Sequence, residues 1–280
     1  MSLSEPVKVL RGYLPGKTMT PEIRAAVGPA RLFADVHTKF VAKAAPLAQD
    51  GVDYDIPFEP QAYDQGDIGS CVLNATCGAY NMVLGVERSA QVMLSRLFLY
   101  WLCREQMGTL DSDSGTYTHL AVDRVGKIGV CQEAMWYYDD SMLYVVPSPD
   151  CYPAASDNKA TAWFQIVDPT GAGQPTRLDQ LEAAVRSNHP GIFGTPCSQA
   201  TMQYQAGQVL GIPDASGIIG GHSMVVTGVH YINGKRVWRI RNSWSPSYGD
   251  NGHLLIDDDW MGWPELDDIW VLSRADALMF

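Results

Sequence analysis

Cys71 follows Gly66, Gly69 and Ser70 and opens a stretch in which Val72, Ala75, Ala79, Met82 and Val83 recur at helical spacing. The two glycines permit a tight backbone passage, and Ser70 is a suitable N-cap, so Cys71 is expected in the first turn of a largely buried helix. A thiol there faces unpaired backbone N–H groups and the positive end of the helix dipole, and both favour the thiolate. An imidazole that takes the thiol proton would complete an ion pair and make the sulfur a nucleophile near neutral pH. Of the six histidines, only His222 stands between glycines and an apolar strand, in Gly220-Gly221-His222-Ser223-Met224. Glycines beside the ring allow another chain to approach it closely, as a substrate groove requires. Twenty residues on comes Arg241-Asn242-Ser243-Trp244. An antiparallel partner strand can set Asn242 against the imidazole, its amide oxygen holding the tautomer that offers the other nitrogen to sulfur. Trp244 would roof that hydrogen bond. Each residue alone also has a plainer reading: a buried structural thiol, a satisfied strand-edge histidine, a turn-capping asparagine.

The elements that must position these groups divide the chain. Residues 1–50 carry Pro6, Pro15, Pro21, Pro29 and Pro46, with one stretch, Pro29 to Ala45, expected to form a sizeable helix. They read as an extension ahead of the main domain that docks on it, with the cleft as one place it would cover. Helices are then expected from Cys71, over Ser95–Gln106, over Tyr117–Gly126, and over Leu178–Ser187 before Pro190. After Ile192-Phe193 the pattern turns to strands. Met224–Val229 and Val237–Ile240 flank Asn233-Gly234, a strong hairpin signal, and His253–Ile256 and Ile269–Leu272 follow. Helices first and antiparallel strands afterwards make an α+β chain. The expected division is an extension over 1–50, a helical part over 51–155 and a β-rich part over 156–280.

Composition narrows the function. The 280 residues are 46% hydrophobic and 18% charged, which suits a folded chain with a large core. A net charge of −11 disfavours nucleic acid and anionic membranes as partners, since either needs a basic face. No apolar run resembles a signal peptide or a membrane span, so the expected location is intracellular or within a larger particle. The six cysteines contain no C-x-x-C pair, and no metal or other cofactor is expected. Apart from Cys71 they read as structural thiols, an odd number that suits a reducing compartment. Asp111 and Asp113 hint at a calcium loop but lack the rest of one. Asp257-Asp258-Asp259 reads as a solvated turn, and Met135, Trp136 and Tyr137 read as core.

Gln65-Gly66-Asp67-Ile68-Gly69-Ser70-Cys71, Gly221-His222 and Asn242-Ser243-Trp244 together resemble the papain-like cysteine peptidases. Ser95–Tyr100, Asp113-Ser114-Gly115, Gly129–Glu133 and Asp267–Trp270 are similar to the compact bacterial and viral branch, and the likeness runs over roughly residues 52–275. That resemblance implies a helical subdomain and an antiparallel β-barrel-like subdomain with the cleft between them. It implies Cys71 as nucleophile, His222 as base, Asn242 as orienter, and the Gln65 side chain with the Cys71 N–H as oxyanion donors. It further implies that Gly115, Thr116 and Tyr117 bind substrate on one wall, with Gly221 opposite and Trp244 beside the imidazole. Departures concern the surroundings: Val72 stands where an aromatic residue is usual, Ile68 where a disulfide cysteine is usual, and Ser245 where a glycine is usual. The expected activity is endopeptidase cleavage of peptides or proteins through a thioester. Two alternatives are another amide-cleaving or acyl-transfer reaction on the same residues, and a structural role in a larger, phage or viral, assembly. Oligomeric state is open.

Overall fold

A computed structural model describes residues 10–44 and 51–274, apart from the side chains of Lys43, Ala44 and Asp267. Residues 1–9 and 45–50 of the expected extension, and 275–280 at the other end, lie outside the described residues.

Two helices precede the main domain, α1 (Pro21–Val27) and α2 (His37–Ala44). The helical part holds α3 (Cys71–Arg88), α4 (Arg96–Met107), α5 (Thr118–Lys127) and the short α6 (Cys151–Ser156). In α3 every residue from Cys71 to Gly85 is buried, so it runs through the protein as a central rod rather than lying on it with one wet face. It stops at Ser89, whose φ of 50° is left-handed. The α4 helix is fixed at both ends: the Ser95 hydroxyl accepts from Phe98 N, and Gly108 closes the far end at φ 69°.

The β-rich part holds β2 (Ala162–Ile166), α7 (Arg177–Arg186), β3 (Gly191–Ser198), α8 (Gln199–Met202), β4 (Ile218–Ile232), β5 (Lys235–Arg241), β6 (His253–Asp257), α9 (Asp258–Met261) and β7 (Asp267–Ser273). Their order in the sheet is β2-β7-β3-β4-β5-β6, and the two-residue β1 (Tyr54–Asp55) pairs with β4. All the pairings are antiparallel. The Asn233-Gly234 turn joins β4 to β5 with φ of 53° and 75°, the pair of left-handed residues that a tight hairpin needs. No described helix is long and apolar enough to cross a membrane.

Four expectations change. Pro29–Ala45 is not one helix: Phe33–Asp35 makes a single 3₁₀ turn and α2 begins only at His37. The chain is extended before that turn because Arg31 O accepts from Gln165 N, which places Leu32 beside β2. Phe33 then turns inward against Phe40 and Phe164. Met135 and Tyr137 are exposed, and of the three adjacent residues only Trp136 is buried. Asp257-Asp258-Asp259 is not a solvated turn. Asp257 caps α9, and Asp258 accepts from both Arg236 and the Trp238 indole. The Ser70 hydroxyl does not cap α3; it pairs with Tyr138 at 2.6 Å.

Candidate active site

Cys71 and His222 come from different halves of the molecule, and where α3 packs on β4 the Cys71 thiol lies by the backbone N–H of Ser223, the residue after His222. The cysteine is the first residue of α3 and has no exposed surface. Burial pushes its thiol up to about 12, while the backbone N–H groups of Ser223, Val72 and Cys71 itself act the other way. His222 lies opposite Thr195 in the β3–β4 ladder and is 1% exposed.

Asn242 follows the last residue of β5, and its N–H donates to Gly252 O at 2.9 Å. The His222 Nε2–H donates to Asn242 Oδ1 at 2.8 Å, and the same oxygen accepts from Ser243 N at 2.7 Å. The Trp244 ring stacks on the imidazole at 4.5 Å with 23° between the planes, and Tyr248 meets that indole edge-on. Donation from Nε2 fixes the tautomer in which Nδ1 carries no proton.

Gln65 is held by several partners. Its N–H donates to Ser243 O and its side-chain oxygen accepts from Ser243 Oγ at 2.6 Å. Its amide nitrogen donates to Ile68 O at 3.0 Å, and the second amide hydrogen remains for another acceptor. The Asp64–Trp244 bridge and the Ser245 N to Tyr63 O bond continue this seam and tie the loops carrying Gln65 and Asn242 together.

Residues to which the sequence assigns no such role hold this loop. Tyr138 donates to Gln65 O at 2.8 Å and contacts the Ser70 hydroxyl, spanning the loop from end to end. Arg96 lies between the rings of Tyr63 and Tyr138 and bonds Asn74 and Glu133. Asp113 accepts from Gly69 N at 2.8 Å and from Tyr100 at 2.7 Å, which is its role in place of the weak calcium reading. Only Ser243 had a usable signal, its place inside the Asn-Ser-Trp triplet. The others act across long sequence separations.

Gly115, Thr116, Tyr117 and Gly221 line a groove in which the chain's own N-terminal segment lies. Leu10 N donates to Ile219 O, Thr116 N donates to Gly12 O at 2.8 Å, and Leu14 N donates to Thr116 O at 3.0 Å. Tyr13 runs parallel to Thr116 and packs its ring on Gly194 and Gly221. Gly12 has φ 121°, and a Cβ there would lie 2.5 Å from Gly69 O, two residues before the cysteine. The segment thus bridges the wall that bears His222 and the wall that bears Gly115.

The chain is similar to known proteins over most of its length. The family model for papain family cysteine proteases matches residues 58–263. A peptidase C1-like protein of Acanthamoeba polyphaga mimivirus, itself uncharacterized, is 27% identical over 248 residues, which is 85% of this chain and 79% of that protein. Cathepsin S of Mus musculus is 24% identical over 192 residues, 69% of this chain and 53% of its own. Among solved structures, xylellain, a cysteine protease from Xylella fastidiosa, superposes with a TM-score of 0.74 at 25% identity over 96% of this chain and 97% of that one. A procathepsin B from Trypanosoma congolense superposes with a TM-score of 0.66 over 95% of this chain and 87% of its own, at 17% identity. The chain belongs to the papain family of cysteine proteases.

Proposed function

We propose that the protein is an endopeptidase in which Cys71 is the nucleophile and His222 the general base and acid. Asn242 orients the imidazole, and the Gln65 amide with the Cys71 N–H binds the oxyanion. The observation that carries this reading is the 2.8 Å bond from His222 Nε2 to Asn242 Oδ1 beneath Trp244, on the wall that faces the buried cysteine.

The steps follow from those positions. The Cys71 proton passes to His222 Nδ1, and the sulfur attacks the peptide carbonyl carbon as its π pair moves onto oxygen. The free amide hydrogen of Gln65 and the Cys71 N–H stabilise that oxygen, and one such donor is typically worth about 3 kcal/mol. The tetrahedral species collapses, the C–N bond breaks, and His222 gives its proton to the departing amine. Water then attacks the thioester, its proton goes to His222, and the C–S bond breaks to restore the thiol.

The described chain is a closed form of such an enzyme, since residues 10–14 occupy the backbone positions of Thr116 and Ile219 that a substrate would use. The segment's place between the wall that bears His222 and the wall that bears Gly115 supports an inhibitory role for it. The test is intact-mass labelling by an irreversible peptidyl epoxide. Single labelling of the opened Gly12→Val chain, lost with Cys71→Ala and with His222→Ala, is the expected result. An opened chain that takes up no label would overturn the enzymatic reading and favour a structural role.

A further inference from the structure

The peptide unit between Ser70 and Cys71 ends in the Cys71 N–H, and its carbonyl carries more bonds than the start of a helix requires. Ser70 O accepts from Leu73 N and from Asn74 N, both at 2.9 Å, as the carbonyl that opens α3 should. It also accepts from the Asn74 side-chain nitrogen at 2.9 Å. That nitrogen directs a second bond to the Ser70 hydroxyl, again at 2.9 Å. The amide cannot be turned round. Its oxygen accepts from Arg96 Nη1 at 3.0 Å, and a guanidinium has no acceptor to offer the nitrogen instead. Arg96 is itself fixed by Glu133 at 2.7 Å and lies between the rings of Tyr63 and Tyr138. Asn74 is 2% exposed, so water does not compete for these bonds. Because Tyr138 gives its hydrogen to Gln65 O, the 2.6 Å bond between the two hydroxyls runs from Ser70 to Tyr138.

We propose that Asn74 is a positioning residue for the oxyanion site, acting through the Ser70 carbonyl on the Cys71 N–H and held in orientation by Arg96. The inference rests on the peptidase reading above. A donor at an amide oxygen draws electron density from the nitrogen and makes its N–H a stronger donor. Hydrogen bonds linked in this way strengthen one another by roughly 10–30% each. The chain of bonds here begins at a guanidinium cation and ends at the hydrogen that meets the oxyanion. Through the Ser70 hydroxyl the same amide also reaches Tyr138 and the carbonyl of Gln65, so one side chain in the first turn of α3 steadies both oxyanion donors. The size of the effect follows. Deleting a whole oxyanion donor lowers kcat about 100- to 1,000-fold. Weakening one by up to about a third of its free energy lowers kcat roughly four- to eightfold. The plainer role, a satisfied amide inside the core, predicts a loss of stability and nothing more.

The decisive experiment uses the full chain opened by Gly12→Val, with rates taken per active site as counted by epoxide uptake. Asn74→Ala and Asn74→Ser leave nearly the same volume, and both release Arg96. They differ in one hydroxyl, which in a helix can donate to the carbonyl four residues back, here Ser70 O. Asn74→Ala should lower kcat on the order of fivefold and weaken a reversible peptidyl aldehyde by a similar factor. The aldehyde reports on the oxyanion site because sulfur adds to its carbon and its oxygen takes the oxyanion's place. Asn74→Ser should stay within about twofold of the parent in both measurements. KM should hold in both variants. So should alkylation by iodoacetamide, in which sulfur displaces iodide from a saturated carbon and no oxyanion forms. Alanine and serine chains that lose kcat and aldehyde affinity equally, or not at all, would overturn the proposal, and so would a loss that iodoacetamide alkylation shares. Should alanine leave no folded chain, Asn74→Val and Asn74→Thr carry the same contrast at larger volume. The peptidase reading fails separately, in a parent chain that neither cleaves peptide nor takes up epoxide.

Discussion

Burial and backbone hydrogen bonding pull the Cys71 sulfur in opposite directions, and in the closed chain burial wins, raising the thiol to about 12. Alkylation of the closed chain by iodoacetamide should therefore be slow at neutral pH and rise continuously into the basic range, whereas opening with Gly12→Val should move the curve to lower pH. Identical curves for the two chains would show that the segment does not govern the sulfur. Ser243 has a separate effect. Its hydroxyl fixes the Gln65 side chain at 2.6 Å, so Ser243→Ala should lower kcat about tenfold in the opened chain with KM and Tm nearly constant. A loss seen mainly in KM would place its role elsewhere. Cys71, His222, Asn242 and Gln65 are legible in the sequence because each lies in a short local pattern. Tyr138, Asp113 and Arg96 are not, because Gln65, Gly69 and Asn74, which they respectively bond, lie more than twenty residues away, and nothing near them in sequence marks the pairing.

Among the elements, strands and helices were readable where local chemistry sets their ends. The helices expected from Ser95 and Leu178 and the Asn233-Gly234 turn fall within a residue of their observed places, the helix starts being set by the Ser95 cap and a Thr176–Asp179 capping box. β2 escaped detection, although its burial alternates as a half-buried strand should, because five residues in an irregular stretch carry too little pattern. Residues 31–44 misled for the opposite reason. Their composition permits a long helix, but Arg31 gives its carbonyl to β2 and Phe33 joins an aromatic cluster, so tertiary contacts cut the helix short. The N-terminal segment is held by the same kind of contact, at a point that a substitution can reach. Valine at position 12 would need to adopt φ 121° and place its Cβ 2.5 Å from Gly69 O, so the segment must lift. Epoxide labelling of the Gly12→Val chain should be on the order of tenfold faster or more, because a competent state that is rarely populated lowers the apparent rate by its population. Equal rates would mean that the segment does not control access to Cys71.

Across the whole molecule, the two halves are joined by a charge cluster behind the site. Glu59 accepts from Arg239 at 2.7 Å and from Arg241 at 3.2 Å, and pairs with His253 on β6. Arg241 also bonds the carbonyls of Pro60 and Gln61 and lies against Gly78 of α3. The cluster thus ties the approach to the Gln65 loop to both β5 and the central helix. Burial alone would raise the Glu59 carboxyl, but the hydrogen bond and charge of His253, with Arg239 and Arg241, bring it down to about 2. A carboxyl lowered in the folded state contributes stability that is fully present above its unfolded value, about 4.3, and is lost as pH falls from there towards 2. A depression of roughly two units corresponds to about 3 kcal/mol, a sizeable share of the 5–15 kcal/mol typical of folded chains. Urea unfolding at pH 7, 5, 4 and 3 should show wild type weakening below pH 5. Glu59→Gln should begin about 3 kcal/mol lower at pH 7, because it leaves Arg241 buried without its carboxylate, and then stay flatter through the acid range. Parallel loss in both chains would assign acid sensitivity to other carboxyls. Because the cluster stands behind the site and bonds none of Cys71, His222, Asn242 and Gln65, the Gln variant should lose epoxide reactivity only in step with its loss of folded protein, and the remaining folded fraction should label at the normal rate.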